Sequence, residues 1–228
     1  MALTKVIGSG VQGISNSSDA TAMTIGSDEV VDFASNADFI DGRGIRLGAG
    51  NDFQLYHDGT DNHINVTGAQ TLNIQTSGNN AIVVDANGII SKPLQPAFLA
   101  HPSSTQSNIA VGSDITVLFA TEIFDQNADF NTANYTFTAP VTGRYQFHIV
   151  YYLENIDTDT GYYYIFFDTS NRNYFNIISP KFTADTDYLS LTLSVLVDMD
   201  ASDTALCKIR QSHGTSQTDI SGNSYFSG

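Results

Sequence analysis

Two histidines and two aspartates fall within the seven residues "HDGTDNH": His57 and Asp58, then Asp61 and His63. A metal site, or the acid/base pair of a glycan-cleaving enzyme, would use these side-chain types. A hydrolase needs its carboxylates fixed across a groove by a rigid scaffold, and the flanking sequence is too thin to supply one. Polar turn residues that cap backbone groups are the favoured reading. Carboxylates recur at Asp157-Thr158-Asp159 and Asp198-Met199-Asp200, with Asp203 close behind, all on expected loops. Calcium takes such oxygen ligands, which makes Asp157, Asp159 and Asp203 the candidate metal ligands. Neither stretch follows the spaced pattern of a dedicated calcium loop, so solvated turns are favoured there too. In "GYYYIFF", Gly161 to Phe167, alternation sends one set of side chains into a core. The other set, Tyr162, Tyr164 and Phe166, is left for a subunit interface, the favoured reading, or for contact with a ligand such as a sugar. His148 sits inside a strand pattern between Phe147 and Ile149, and His101 and His213 have no neighbours that suggest catalysis. No catalytic residue is assigned, and no cofactor is required apart from the calcium candidate.

The elements that must carry these residues are strands. Ser, Thr, Asn, Asp and Gly fill much of the 228-residue chain, charged residues make up only 14%, and strong helix formers are scarce. No long stretch shows a helical apolar period, so the chain reads as all-β. The aromatic residues divide it: before Pro93 there are only Phe33, Phe39, Phe53 and Tyr56. The later part therefore has the bulk for a two-sheet core, and the earlier part can build only something thin. In that thin part, "FQLYHDGTDNHINV" sets Phe53 and Leu55 against Ile64 and Val66 across an Asp58-Gly59 turn. "TLNIQ" and "AIVVDANGII" continue the short alternations, broken at Ser77-Gly78 and Asn87-Gly88. One chain has too little apolar bulk here to cover both faces. A three-fold β stalk, which supplies the missing surface from other copies, is favoured over a small independent β-sheet domain; on its axis His57 or His63 could hold an ion or a water, a reading that ranks below the turn role. The two prolines of "SKPLQP", Ser91 to Pro96, mark the boundary. The expected divisions are an attachment and linker segment (1–30, rich in Gly, Ser, Asn and Thr over Gly8–Ser27), a stalk (31–92) and a head (93–228).

A formal net charge of −15 argues against nucleic-acid binding, which needs basic patches, and against anionic membrane surfaces. The first ten residues lack the apolar run of a signal peptide, and no run is long enough to span a bilayer. The Asn16, Asn65 and Asn134 sequons are accordingly taken as chance. The single Cys207 alternates with Lys208 and Arg210 and reads as a small core residue.

From Pro96 onward the chain resembles the C1q branch of the C1q and tumour necrosis factor-like superfamily. The residues that carry this are "PAFLA" (Pro96 to Ala100), "FTAPVTGRYQF" (Phe137 to Phe147), Ser202-Asp203 where the family has a Gly-Asp turn, and "SYFSG" (Ser224 to Gly228). The resemblance implies a jelly roll of two antiparallel sheets that assembles as a homotrimer. The collagen stalk common in animal members is not expected, because nothing before Pro93 has Gly at every third position. The segment "GIRLGAGNDFQLYHDGTDNHI", Gly44 to Ile64, is similar to a short repeat of tail-fibre and other structural proteins of marine bacteriophages.

Together the two resemblances imply a non-enzymatic virion fibre or spike, a trimeric adhesin made in the host cytoplasm. Its N-terminal segment would contact other virion proteins, and its head would contact a host envelope glycan or protein. A capsid-decoration protein without a receptor is the alternative, and a secreted C1q-like signal or lectin is the second alternative.

Overall fold

A computed structural model describes residues 36–228 and, as backbone alone, strands β1 (Met23–Ile25) and β2 (Val31–Phe33), which pair antiparallel. The attachment and linker segment otherwise lies outside the described residues. All regular structure among the described residues is β-strand. The chain divides into two compact units, Met1–Gln70 and Thr71–Gly228.

In the first unit β3 (Gly44–Leu47), β4 (Phe53–His57) and β5 (Asn62–Val66) form a three-stranded antiparallel meander. Its register pairs Phe53 with Val66 and Leu55 with Ile64, as the alternation requires, and adds Leu47 opposite Phe53 and Ile45 opposite Leu55. Side chains alternate across a strand, so all six apolar residues share one face and Arg46, Gln54 and Asn65 form a row on the other.

The second unit opens with a similar meander, β6 (Leu72–Thr76), β7 (Asn79–Val84) and β8 (Ile90–Ser91). Leu72 faces Val84, Val84 faces Ile90, and Ile74 faces Ile82, which again gathers the branched aliphatics on one side. The turn residues Ser77 (φ 50) and Gly78 (φ 81) both have positive φ, the conformation a two-residue hairpin needs. After β8, Gln126 donates its side-chain amide to the carbonyls of Lys92 (2.8 Å) and Gln95 (2.7 Å), which fixes the proline-bounded segment against the head.

The head is a sandwich of two antiparallel sheets. Its strands in chain order are β9 (Ala97–His101), β10 (Ile115–Thr116), β11 (Thr121–Gln126), β12 (Phe130–Asn131), β13 (Thr136–Thr138), β14 (Gly143–Ile156), β15 (Tyr162–Thr169), β16 (Asn173–Ile178), β17 (Thr186–Met199), β18 (Thr204–Ser212), β19 (Asp219–Ile220) and β20 (Tyr225–Ser227). One sheet runs β11-β9-β20-β14-β17 with β19 also on β14, and the other runs β12-β13-β18-β15-β16 with β10 also on β18. Phe98, Phe147 and Phe226 from the first sheet meet Phe137 and Phe167 from the second. The Phe147 ring lies 5.2–6.3 Å, centroid to centroid, from the other four. Offset and edge-on packing at these distances adds to the burial of each ring. This is a jelly roll of the C1q and tumour necrosis factor-like kind.

Two local features refine the sequence reading. Tyr145 alternates with the core residues but is only half-buried; its ring lies 5.3 Å from Phe137 and its hydroxyl donates to the Val141 carbonyl at 2.6 Å. It therefore closes the turn that Pro140 and Gly143 bracket. Ser202, standing where the family has Gly, does adopt the left-handed conformation, with φ 76. Cys207 is fully buried, as expected, and burial pushes its thiol well above the ordinary range.

Candidate functional site

The histidine-aspartate stretch is a turn clasp. Asp58 Oδ1 accepts from the backbone N–H groups of Thr60 and Asp61, both at 2.8 Å, and Oδ2 lies 2.9 Å from His63 Nε2. The Asp61 backbone bond and the His63 bond hold the Asp58 carboxyl well below the usual carboxylate range. The His63 ring stacks on Tyr56 at 4.7 Å. His57 faces away from this pair, 3.9 Å from Asp41.

Asp157 and Asp203 bond to different partners, and Asp159 joins Asp157 only through its backbone N–H. Buried Asp157 accepts from the hydroxyl (2.6 Å) and backbone N–H of Thr215 and from the Asp159 N–H (2.7 Å). Gly214 lets Thr215 approach: its φ is +77, and a Cβ there would sit 2.9 Å from the Asp157 carboxylate. Asp203 Oδ2 accepts from Asn171 Nδ2 and the Asp200 N–H, both at 2.8 Å, so it ties two loops at the other end of β17. Among the described residues no three metal-ligating side chains come together.

The Thr215 bonds, led by its hydroxyl, lower the Asp157 pKa from its ordinary value of 3.8. Its contribution to stability is therefore complete above pH ~4 and is lost as the pH falls through the depressed folded value. Asp157→Ala should cost about 2 kcal/mol at neutral pH, because two donors on Thr215 lose a buried acceptor. It should also flatten the acid limb of the stability curve below pH ~4. Urea midpoints measured from neutral to acid pH at fixed protein concentration check both.

Tyr162, Tyr164 and Phe166 lie on the face of β15 that points away from the core, since Tyr163, Ile165 and Phe167 are its buried set. Strand pairing completes this face. Tyr164 stands between Arg210 of β18 and Ile177 of β16, and Phe166 stands between Lys208 and Phe175. The Tyr164 ring lies 4.8 Å from Phe166 and 5.0 Å from Phe175. Asp114, before β10, accepts from the Arg210 guanidinium at 2.7 Å, and Asp168 pairs with Lys208. A hollow of about 310 Å³ opens here, lined by Asp114, Tyr162, Tyr164, Phe166, Asn173, Ile177 and Arg210, with Phe175 beside it. Phe175, Asp114 and Arg210 were not singled out in the sequence; the alternation of "NYFNII" is the signal for Phe175, but no local signal links Asp114 to Arg210.

The exposed face of the other sheet is different. Tyr152 and Leu196 are about half exposed and Tyr188 is 73% exposed, all on the side of β14 and β17 turned from the core. Phe124, opposite Leu99, adds a fourth large side chain to this face.

The two-sheet sandwich thus carries a hollow on one sheet and exposed large side chains on the other. The family profile described as C1q domain matches residues 97–228, more than half of the chain. The chain belongs to the C1q domain family, whose members are generally binding modules rather than enzymes. Comparison with curated proteins finds no match. Among solved structures, the globular domain of zebrafish complement 1qA protein matches at 16% identity and a TM-score of 0.41, over 58% of this chain and 94% of that one. Murine APRIL at pH 5.0 matches at 15% identity and a TM-score of 0.38, over 58% and 97%. PRD1 vertex protein P5 matches at 12% identity and a TM-score of 0.46, over 67% and 84%.

Proposed function

We propose that the chain is a homotrimeric fibre or spike protein of a bacteriophage particle, whose C1q-like head contacts the host cell surface. The observation that carries the assembly is the pair of three-stranded meanders, each with one predominantly apolar face. Ile45, Leu47, Leu55 and Ile64 are 44–60% exposed in the single chain, and Ile74 and Ile90 are 49% and 65% exposed. An isolated sheet of this size does not hold such a face in water. Three copies around an axis cover it without leaving an open edge to an indefinite stack. C1q-family relatives form trimers, which supports the same symmetry for the head. In the head, the face with Phe124, Tyr152, Tyr188 and Leu196 is the surface that would pack between copies.

The phage assignment rests on the resemblance of Gly44–Ile64, with "FQLYHDG" at its centre, to marine phage fibre repeats. Binding would be multivalent: three weak sites at fixed spacing gain avidity that one site lacks.

Native mass spectrometry of the full chain at micromolar concentration should return three times the 24.6 kDa chain mass. A monomer mass overturns the assembly. On intact particles, a gold-labelled antibody against the head should cluster at the tail and block adsorption. Label spread evenly over the shell would favour the decoration reading instead.

A further inference from the structure

We infer that the hollow over β15, β16 and β18 is a binding site for a neutral saccharide. The inference deepens the adhesin reading and rests on it for the meaning of binding, though not for the binding itself. A pyranose ring has an apolar C–H face and a rim of hydroxyls that both donate and accept. The hollow has the complementary arrangement. Ile177, which lines the hollow, is 50% exposed, and Phe175 at its edge is 56% exposed, so the two extend an apolar platform. Phe166, only 2% exposed, lines the hollow, and Tyr164, packed between the Phe166 and Phe175 rings, adds a hydroxyl. At one margin Asp114 and Arg210 stand side by side, so a carboxylate can accept from one sugar hydroxyl while a guanidinium donates to its neighbour. Such charge-assisted bonds are the strong ones.

The charge balance selects among ligands. Each cation on this face already has its aspartate: Arg210 has Asp114 and Lys208 has Asp168. The face therefore offers paired donors and acceptors with no net charge, on a chain whose formal charge is −15. An anionic glycan would have to displace an aspartate from its partner and approach an acidic molecule. A neutral sugar needs neither. Apart from Asp114, which Arg210 holds, the side chains project from three hydrogen-bonded strands, which fix their spacing better than loops would. A volume of about 310 Å³ lies at the small end of small-molecule sites and suits one or two sugar rings.

The test is saturation-transfer NMR on the full-length protein, with the methyl glycosides of glucose, galactose and mannose as neutral probes. The methyl glycoside of sialic acid serves as the anionic probe. At least one neutral glycoside should receive saturation and the sialoside should not. Phe175→Ala and Asp114→Asn, both at exposed positions, should each lower the signal about tenfold, the scale of one lost hot-spot contact. Val141→Ala, on an exposed turn of the same head, should leave it unchanged. No transfer to any neutral glycoside, transfer kept in both variants, or stronger transfer to the sialoside would overturn the inference. Monovalent probes read the hollow in a monomer or a trimer alike, so the native mass reports separately on the fibre reading.

Discussion

Phe226→Ala should lower the stability of the head by about 3–5 kcal/mol, the range for emptying a well-packed aromatic site. Phe226 is fully buried, and its ring lies 4.8–5.8 Å from Phe98, Phe119, Phe130, Phe147 and Phe167. Those partners come from both sheets, so the cavity would open at the seam between them and could not close by shifting one sheet. Phe175→Ala is the comparison: at 56% exposure it should cost less than about 1 kcal/mol. The chain has no tryptophan, so near-ultraviolet circular dichroism of its 11 tyrosines is a suitable readout of tertiary packing. Protomer concentration must be matched, because association adds to apparent stability. Phe226→Leu keeps most of the volume and should lose far less, which guards against a variant that merely fails to express. Equal loss for Phe226→Ala and Phe175→Ala would contradict the packing described.

Ile64→Asp should abolish the association of the first meander, whereas Asn65→Asp should leave it intact. The two substitutions add the same charge one residue apart on β5. Ile64 pairs with Leu55 on the apolar face, and Asn65 pairs with Gln54 on the polar one. A carboxylate forced between copies costs several kcal/mol unless a partner neutralises it, about 3 or more by the usual measure of an unpaired buried charge, and a three-fold axis would bring three together. The same carboxylate facing solvent costs within about 0.5 kcal/mol. Limited proteolysis with mass mapping separates the outcomes: Ile64→Asp should admit early cuts between Gly44 and Val66 while the head stays whole. If Asn65→Asp were cut as readily, the sidedness of the sheet would not be what holds copies together.

Much of the fold was legible because strands advertise themselves locally. The Phe53–Val66 and Leu55–Ile64 pairs followed from two alternating runs and an Asp-Gly turn, with no long-range information. Tyr145, Phe147, Ile149 and Tyr151 alternate in the sequence, and all but Tyr145 are buried, as is Phe137. Tyr145 broke the pattern because its hydroxyl found a closer partner in the Val141 carbonyl than solvent would offer. Strand edges were less legible: β13 begins at Thr136, since Tyr135, itself a good strand residue, turns through a positive φ of 62. The candidate site was half visible. Tyr162, Tyr164 and Phe166 stood out as one face of one strand, but Phe175 joins them only through the β15–β16 register. Asp114 meets Arg210 across 96 residues of sequence, a pairing that only the closed sandwich creates.

The order of the first head sheet bears on how the protein is made. β20 lies between β9 and β14 and bonds to both, whereas β9 and β14 share no direct pairing. A nascent chain emerging from the ribosome would therefore carry two strands of this sheet held apart by an empty lane until Tyr225–Ser227 is released. The pairing of Phe226 with Ala100 spans more than half of the chain, and contacts of such separation form slowly because a long loop must close first. The sheet can be completed only once Tyr225–Ser227 has emerged, so any partner copy would meet a finished surface only after the whole head has been translated.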